Sequence, residues 1–279
     1  MRKIYVDAQH GVGNRLRAIG SAAVMARALR RDLVIVWQPD HHCGCAFRDL
    51  FDYDGAVLEE SFLEHADGMA CFNYMEAEAG SEKNALIEDP GPKDIYFRSA
   101  YAANSPHTNW HAENRFIRNL RPVSRVLDLV ASAPTPNNVG VHVRMIGGKG
   151  YEHLPYESLE NWTEEGHREI DKWRKATHYD LFAAKLDEMI AAGTLNRFFL
   201  AADNPETYEV FRDRYGERVS YLPREHFDRS AEQLVYALAD VILLSRTPLL
   251  LGSGWSSFTE LAVRMSPLNV ELLTCGVDF

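Results

Sequence analysis

Several things are scarce in this chain of 279 residues, and each shortage closes off a class of function. Basic residues are outnumbered, thirty against forty acidic, for a net charge of −10. A polyanionic partner needs a basic face, so nucleic acid is not expected, and any phosphate chemistry must be local and small. Long apolar runs are missing too: the greasiest stretch, residues 235–254, is broken by Asp240, Arg246 and Pro248, too often to span a bilayer. The opening "MRKIYVDAQHG" puts only a strand's worth of apolar residues behind two basic ones, which is not a signal peptide. A cytoplasmic protein is expected, in which the "NWT" at Asn161 carries no glycosylation. Cysteine is limited to Cys43, Cys45, Cys71 and Cys275. "HHCGC", residues 41–45, offers thiolates and imidazoles together, but no second pair follows at zinc-site spacing, so reduced loop cysteines are the reading. No internal repeat, coiled coil or low-complexity tract is visible.

Hydrophobic content of 46% and charged content of 25% describe an ordinary globular protein, long enough for one large domain or two small ones. Residues 4–8 and 33–37 read as strands, and Leu16, Ile19, Ala23 and Ala26 recur between them at helical spacing. That strand–helix–strand unit implies a parallel sheet. The middle is less regular, with one clear strand at residues 94–97. "SAPTPNN", residues 132–138, reads as a linker, and strands and helices alternate cleanly beyond it. Strands are expected at residues 139–143, 197–202, 219–222, 249–252 and 269–273. The expected fold is α/β, with two Rossmann-like domains facing across a cleft, residues 1–136 and 137–279.

Ligands in open parallel sheets bind beyond the carboxyl ends of the strands, and four unusual sequences fall there. "HGVGNRLRAIG" is not a dinucleotide fingerprint, because Leu16 occupies the third glycine position. Gly11 and Gly13 allow a close backbone approach, with Asn14 next; a tight turn capped by Asn14 is the alternative. "GVHVRMIGGKG" fails as a P-loop, since Val143 and Gly150 stand where glycine and Ser/Thr are required. What it does is deliver Arg144 to a strand end, where its planar fork can hold two phosphate oxygens or a structural salt bridge. In "LLLGSGWSSFTELA", Ser257 and Glu260 fit a capping box, but a helix start after glycines also binds anions. Asp203 closes "RFFLAAD", either as a cap or as an acceptor for paired hydrogen bonds.

Taken together these stretches resemble the fucosyltransferase superfamily of bacterial nodulation fucosyltransferases, α1,6-fucosyltransferases and protein O-fucosyltransferases. The "GxGN" turn is Gly11, Gly13 and Asn14; "HxR" is His142 and Arg144; the serine-rich segment is Ser256, Ser257 and Phe258, with Asp203 between as the acidic position. The resemblance implies a GT-B glycosyltransferase whose C-terminal half holds GDP-fucose, with the N-terminal half on the acceptor side. Arg144 would contact the diphosphate, His142 and Asp203 the guanine, and Ser256 and Ser257 the phosphates, while Asn14 would lie near the sugar. A glutamate ten residues after the motif histidine serves as base in the α1,6 branch, and Glu152 stands at that offset; Asp7 is the next candidate. Met145 follows Arg144 where that branch has a second arginine, and Gly147 and Gly148 replace its acidic–basic pair.

The resemblance and the chemistry together lead us to expect an inverting transfer of a sugar, fucose foremost, from a GDP-sugar to a glycan or other hydroxyl acceptor. With no Asp-x-Asp pair read as metal-binding, no metal and no other cofactor are expected. The alternatives are a nucleotide-sugar-binding protein without turnover and another α/β nucleotide-dependent enzyme.

Overall fold

Strand β1 (Lys3–Ala8) buries Ile4 and Val6 fully, and helix α1 (Val12–Ala28) does the same with Leu16, Ile19, Ala22 and Met25 at helical spacing. Strand β2 (Asp32–Val36) then pairs parallel to β1, with Tyr5 opposite Val34. The computed structural model describes residues 2–147, 149–158, 160 and 162–279, so the Asn161 triplet's acceptor lies outside the described residues. The first unit, Met1–Val123, continues with β3 (Phe51–Asp52), β4 (Ala56–Leu58), β5 (Ala70–Asn73), β6 (Ile95–Ser99), α2 (Trp110–Asn119) and β7 (Arg121–Pro122). Its sheet runs β4-β2-β1-β6-β5 with every pair parallel, while β3 and β7 form a separate antiparallel pair.

The second unit, Ser124–Phe279, opens with α3 (Ser124–Ser132), β8 (Val139–Val143), α4 (Glu164–Lys175), α5 (Tyr179–Ala191) and β9 (Phe198–Ala202). It ends with α6 (Pro205–Tyr215), β10 (Val219–Ser220), α7 (Ala231–Ser245), β11 (Leu249–Ser253), α8 (Ser257–Met265) and β12 (Glu271–Cys275). The sheet order is β10-β9-β8-β11-β12, again all parallel, so each unit is the Rossmann-like α/β layer the alternation predicts. The chain divides at Val123, ahead of the expected boundary at residue 136. Helix α3 goes with the second unit because it packs on α7, burying Val126 and Val130 and pairing Arg125 with Glu232 at 3.0 Å.

Strand β8 is central, and all five of its residues are buried. Val139, Val141 and Val143 pack in one core with Phe182, Leu186, Phe198, Leu200 and Phe211. Each such side chain contributes about 1.5–3 kcal/mol through burial, which holds the strand firmly in place. Its register sets Val143 against Ala202 of β9 and His142 against Gly252 of β11. Three carboxyl ends therefore stop side by side, and the residues that follow, Arg144, Asp203 and Gly254, emerge together. Among the described residues no helix is long and apolar enough to cross a membrane.

Candidate functional site

The backbone at Arg144 is pinned from both sides. Its N–H donates to Ser253 Oγ at 2.8 Å, and its carbonyl accepts from Thr177 Oγ1 at 2.9 Å. Ser253 Oγ donates onward to the carbonyl of His142 at 3.1 Å, tying β11 to the end of β8. The two N–H groups after Arg144, those of Met145 and Ile146, donate to the two oxygens of Asp203, each at 2.9 Å. Asp203 is thus neither a helix cap nor an idle acceptor. It holds the segment leaving β8, while Asn204 caps α6. This is why the apolar strand delivers one arginine and then stops being regular.

The Arg144 guanidinium lies among carboxylates. Nη2 donates to Glu157 Oε1 at 3.1 Å, and Nε sits 3.2 Å from Asp203 Oδ2 without directing its hydrogen at it. Glu157 is 5% exposed, and its second oxygen has no hydrogen-bond partner among the described residues. Two further arginines share this field. Arg174, on the last turn of α4, is held well below an ordinary arginine, to about 9, by burial and then by the charge of Arg144. Arg229, which lies 4.3 Å over the Tyr156 ring, is lowered by the same two causes in the same order. Asp203 and Glu157 attract both. The charges of Arg144, Arg174 and Arg229 thus act on one region together with those of Asp203 and Glu157.

His142 is the second element. Its ring is 4% exposed and stacks on Phe258, with centroids 4.6 Å apart. Burial, then the charges of Arg144 and Arg174, lower its pKa to about 3, so it is neutral at any physiological pH. Nδ1 lies 2.8 Å from Thr259 Oγ1, and that hydroxyl donates its single hydrogen to the Ser253 carbonyl at 3.1 Å. Nδ1 must therefore carry the ring's proton and donate it to Thr259, which leaves Nε2 a bare acceptor.

Helix α8 starts one residue earlier than the capping box predicts. Ser256 is the cap, accepting from Thr259 N at 3.5 Å, while Glu260 takes Arg264 Nη1 at 3.3 Å. The cap sits one place early because Trp255 turns the chain with φ of 51°, and Ser256 is the first residue with the extended conformation a cap needs. Ser257 and Phe258 then occupy the first turn, where backbone N–H groups have no helical partner. Gly252 is required at the close of β11, since a Cβ there would stand 2.3 Å from Thr259 Cγ2. Gly254 is required too: its Cβ would stand 2.3 Å from the Trp173 ring, which docks α4 onto this turn.

The structure brings His142, Arg144, Asp203, Ser256, Ser257 and Phe258 to one end of one sheet. Glu152 stays outside that cluster. It is exposed, and its Oε2 accepts from Gly150 N at 2.7 Å, one of the backbone contacts that lower its pKa. The buried carboxylate beside Arg144 is instead Glu157. Gly11, Gly13 and Asn14 belong to the first unit. Gly11 rather than Asn14 is the cap position of α1, Gly13 is buried in its first turn, and Asn14 Oδ1 accepts from Arg17 Nη2 at 2.7 Å. Asp7 in the same unit is 3% exposed; it accepts from Tyr96 and pairs with Arg98 at 2.8 Å.

The cysteines of "HHCGC" are free thiols in a loop, as read from the sequence. Cys43 and Cys45 are buried with sulfurs 3.8 Å apart, in a loop tied by Asp40 to the buried Arg15 at 2.7 Å. One triplet, residues 52–54, has the bare Asp-x-Asp pattern. Asp52 is exposed, and Asp54, with its side chain 93% exposed, pairs with Arg121 at 3.1 Å. Among the described residues no three His, Cys, Asp or Glu side chains converge as metal ligands would.

No protein-family model matches the chain, and no curated relative matches it in sequence. Solved structures match it over nearly its whole length. NodZ α-1,6-fucosyltransferase soaked with GDP-fucose gives a TM-score of 0.62 at 18% identity, over 96% of this chain and 94% of that one. The fucosyltransferase NodZ from Bradyrhizobium gives 0.60 at 17%, with the same coverage of 96% and 94%. POFUT1 in complex with GDP-fucose gives 0.56 at 11%, over 99% and 98%. The chain has the GT-B fold of these fucosyltransferases.

Proposed function

We propose that this chain is a glycosyltransferase that moves a sugar, fucose foremost, from a GDP-sugar to the hydroxyl of a glycan or other acceptor, with inversion and without a metal. The observation that carries the reading is Arg144, fixed at the end of β8 in a region where Arg174 and Arg229 add to its positive charge. The fold is shared with a POFUT1 structure in complex with GDP-fucose and a NodZ structure soaked with it, which favours this donor.

The residues divide the work as follows. Departure of a nucleoside diphosphate from a sugar carbon builds negative charge on the phosphates and positive charge on the ring. Arg144 and the first-turn N–H groups of α8, with the Ser256 and Ser257 hydroxyls, stabilise the leaving charge; such preorganised groups are worth several kcal/mol each. Neutral His142 presents Nε2 as an acceptor, which suits the N–H edge of guanine. Asp203 has spare lone pairs for the same edge while its oxygens hold the backbone after Arg144. Glu152 is assigned the acceptor's proton; because it lies outside the cluster, that role rests on its offset from His142. A cytoplasmic setting, where nucleotide sugars are made, belongs to the same proposal.

The test is release of GDP and formation of product from GDP-fucose, compared with GDP-mannose and UDP-sugars, in buffer containing EDTA. Turnover with a GDP-sugar in EDTA is expected. Turnover abolished by chelator and restored by magnesium or manganese would overturn the metal-free part, and the absence of any GDP-sugar turnover would overturn the activity itself.

A further inference from the structure

Arg174 belongs to no motif of the sequence, yet it shares the field of Arg144. Trp173, its neighbour on the last turn of α4, packs on Gly254 and so presses α4 onto the turn between β11 and α8. From there Arg174 Nη2 donates to the Trp255 carbonyl, a long bond of 3.4 Å, at the residue before the cap of α8. Its other two nitrogens, Nε and Nη1, are buried without a hydrogen-bond partner among the described residues. A buried guanidinium normally spends its donors, because each unmet one forfeits a bond to water. Trp255 itself holds φ at 51°, unusual for a bulky residue, in the turn that brings this carbonyl to the arginine.

We propose that Arg174 is a second phosphate ligand, taking oxygens of the outer phosphate of the same diphosphate that Arg144 and the start of α8 hold. The inference rests on the donor reading above and deepens it: the site is built for two phosphates, with an arginine for each share of the charge. Two independent features support it. The unused donors sit at the turn leading into α8, whose first-turn N–H groups also seek an anion. And Met145 follows Arg144, so no adjacent arginine supplies a second fork; α4 brings one from thirty residues down the chain. A strut for the Trp255 carbonyl alone would need one donor and would leave the other two unexplained.

The experiment compares GDP with GMP by calorimetry on wild-type protein, Arg174→Gln and Arg174→Lys, with thermal melting of each. Loss of a charged, forked phosphate contact is expected to weaken GDP roughly 10- to 100-fold. GMP, which lacks the second phosphate, should weaken less than about threefold, so the ratio of the two affinities collapses. Arg174→Lys keeps the charge without the fork and should show the same ratio change in smaller measure, which serves if the glutamine variant melts early. GDP bound as tightly by Arg174→Gln as by wild type, or GDP and GMP weakened equally, would overturn the inference. Wild-type protein that binds no nucleoside diphosphate would instead overturn the donor reading from which it starts.

Discussion

Thr259 Oγ1 lies 2.8 Å from His142 Nδ1 and, having given its own hydrogen to the Ser253 carbonyl, decides which ring nitrogen is protonated. This one hydroxyl links the end of β8, the end of β11 and the first turn of α8. A valine of the same shape would leave Nδ1–H buried without an acceptor, a loss of about 1–3 kcal/mol, or let the proton move to Nε2. Thr259→Val is therefore expected to lower the melting temperature and to weaken GDP roughly tenfold while leaving inorganic pyrophosphate unchanged. Calorimetry with both ligands checks this; equal losses would mean that His142 does not read the base.

Two histidines, the buried His142 and the half-buried His10, set an acid limit on stability. His142 is lowered to about 3 and His10 to about 4, both chiefly by burial, against about 6.5 in an unfolded chain. Below about pH 6.5 the unfolded state takes up protons that the folded state refuses, so stability falls as pH drops from there towards 4 and 3. The urea midpoint should be flat above pH 7 and decline steadily between 6.5 and 4. His142→Asn should decline less steeply, on the order of 1.4 kcal/mol less for each pH unit crossed. A wild-type midpoint that stays level down to pH 4.5 would contradict the burial argument.

Much of this was legible because strand ends are legible. An apolar run that stops at Arg144, another at Asp203 and a third in glycine and serine mark the edge of a parallel sheet, where ligands bind. Arg174 escaped for a physical reason: α4 buries only Ile170, so no apolar stripe reveals the helix. Its signals are electrostatic instead, with Thr163 as cap, Glu164 and Glu165 in the first turn, and Lys172, Arg174 and Lys175 in the last. Glu157 escaped because burial of a carboxylate depends on which arginine it meets, and spacing cannot say. The unit boundary slipped for a similar reason. Prolines in residues 132–138 punctuate the chain, but whether α3 sits before or after the break depends on its packing against α7.

Glu152 is exposed and hydrogen-bonded to its own loop, which holds its carboxyl below the usual glutamate range. If it takes the acceptor's proton, Glu152→Gln should leave GDP affinity unchanged and reduce kcat by roughly 10²–10⁴-fold. The acid limb of the wild-type profile should then lie below the ordinary range of a glutamate and vanish in the variant. Steady-state rates from pH 4 to 8 decide it. A variant that keeps more than about a tenth of wild-type kcat shows that the base is another group.

The central claim is that a strand end presents Arg144 to the diphosphate of a GDP-sugar. Calorimetric titration of GDP into wild-type, Arg144→Ala and Arg144→Lys protein, each first shown to melt cooperatively, tests it most directly. Binding by wild type, none measurable by the alanine variant and little recovery by lysine are expected, because a point charge does not replace a planar fork. An Arg144→Ala protein that binds GDP as tightly as wild type would contradict the account.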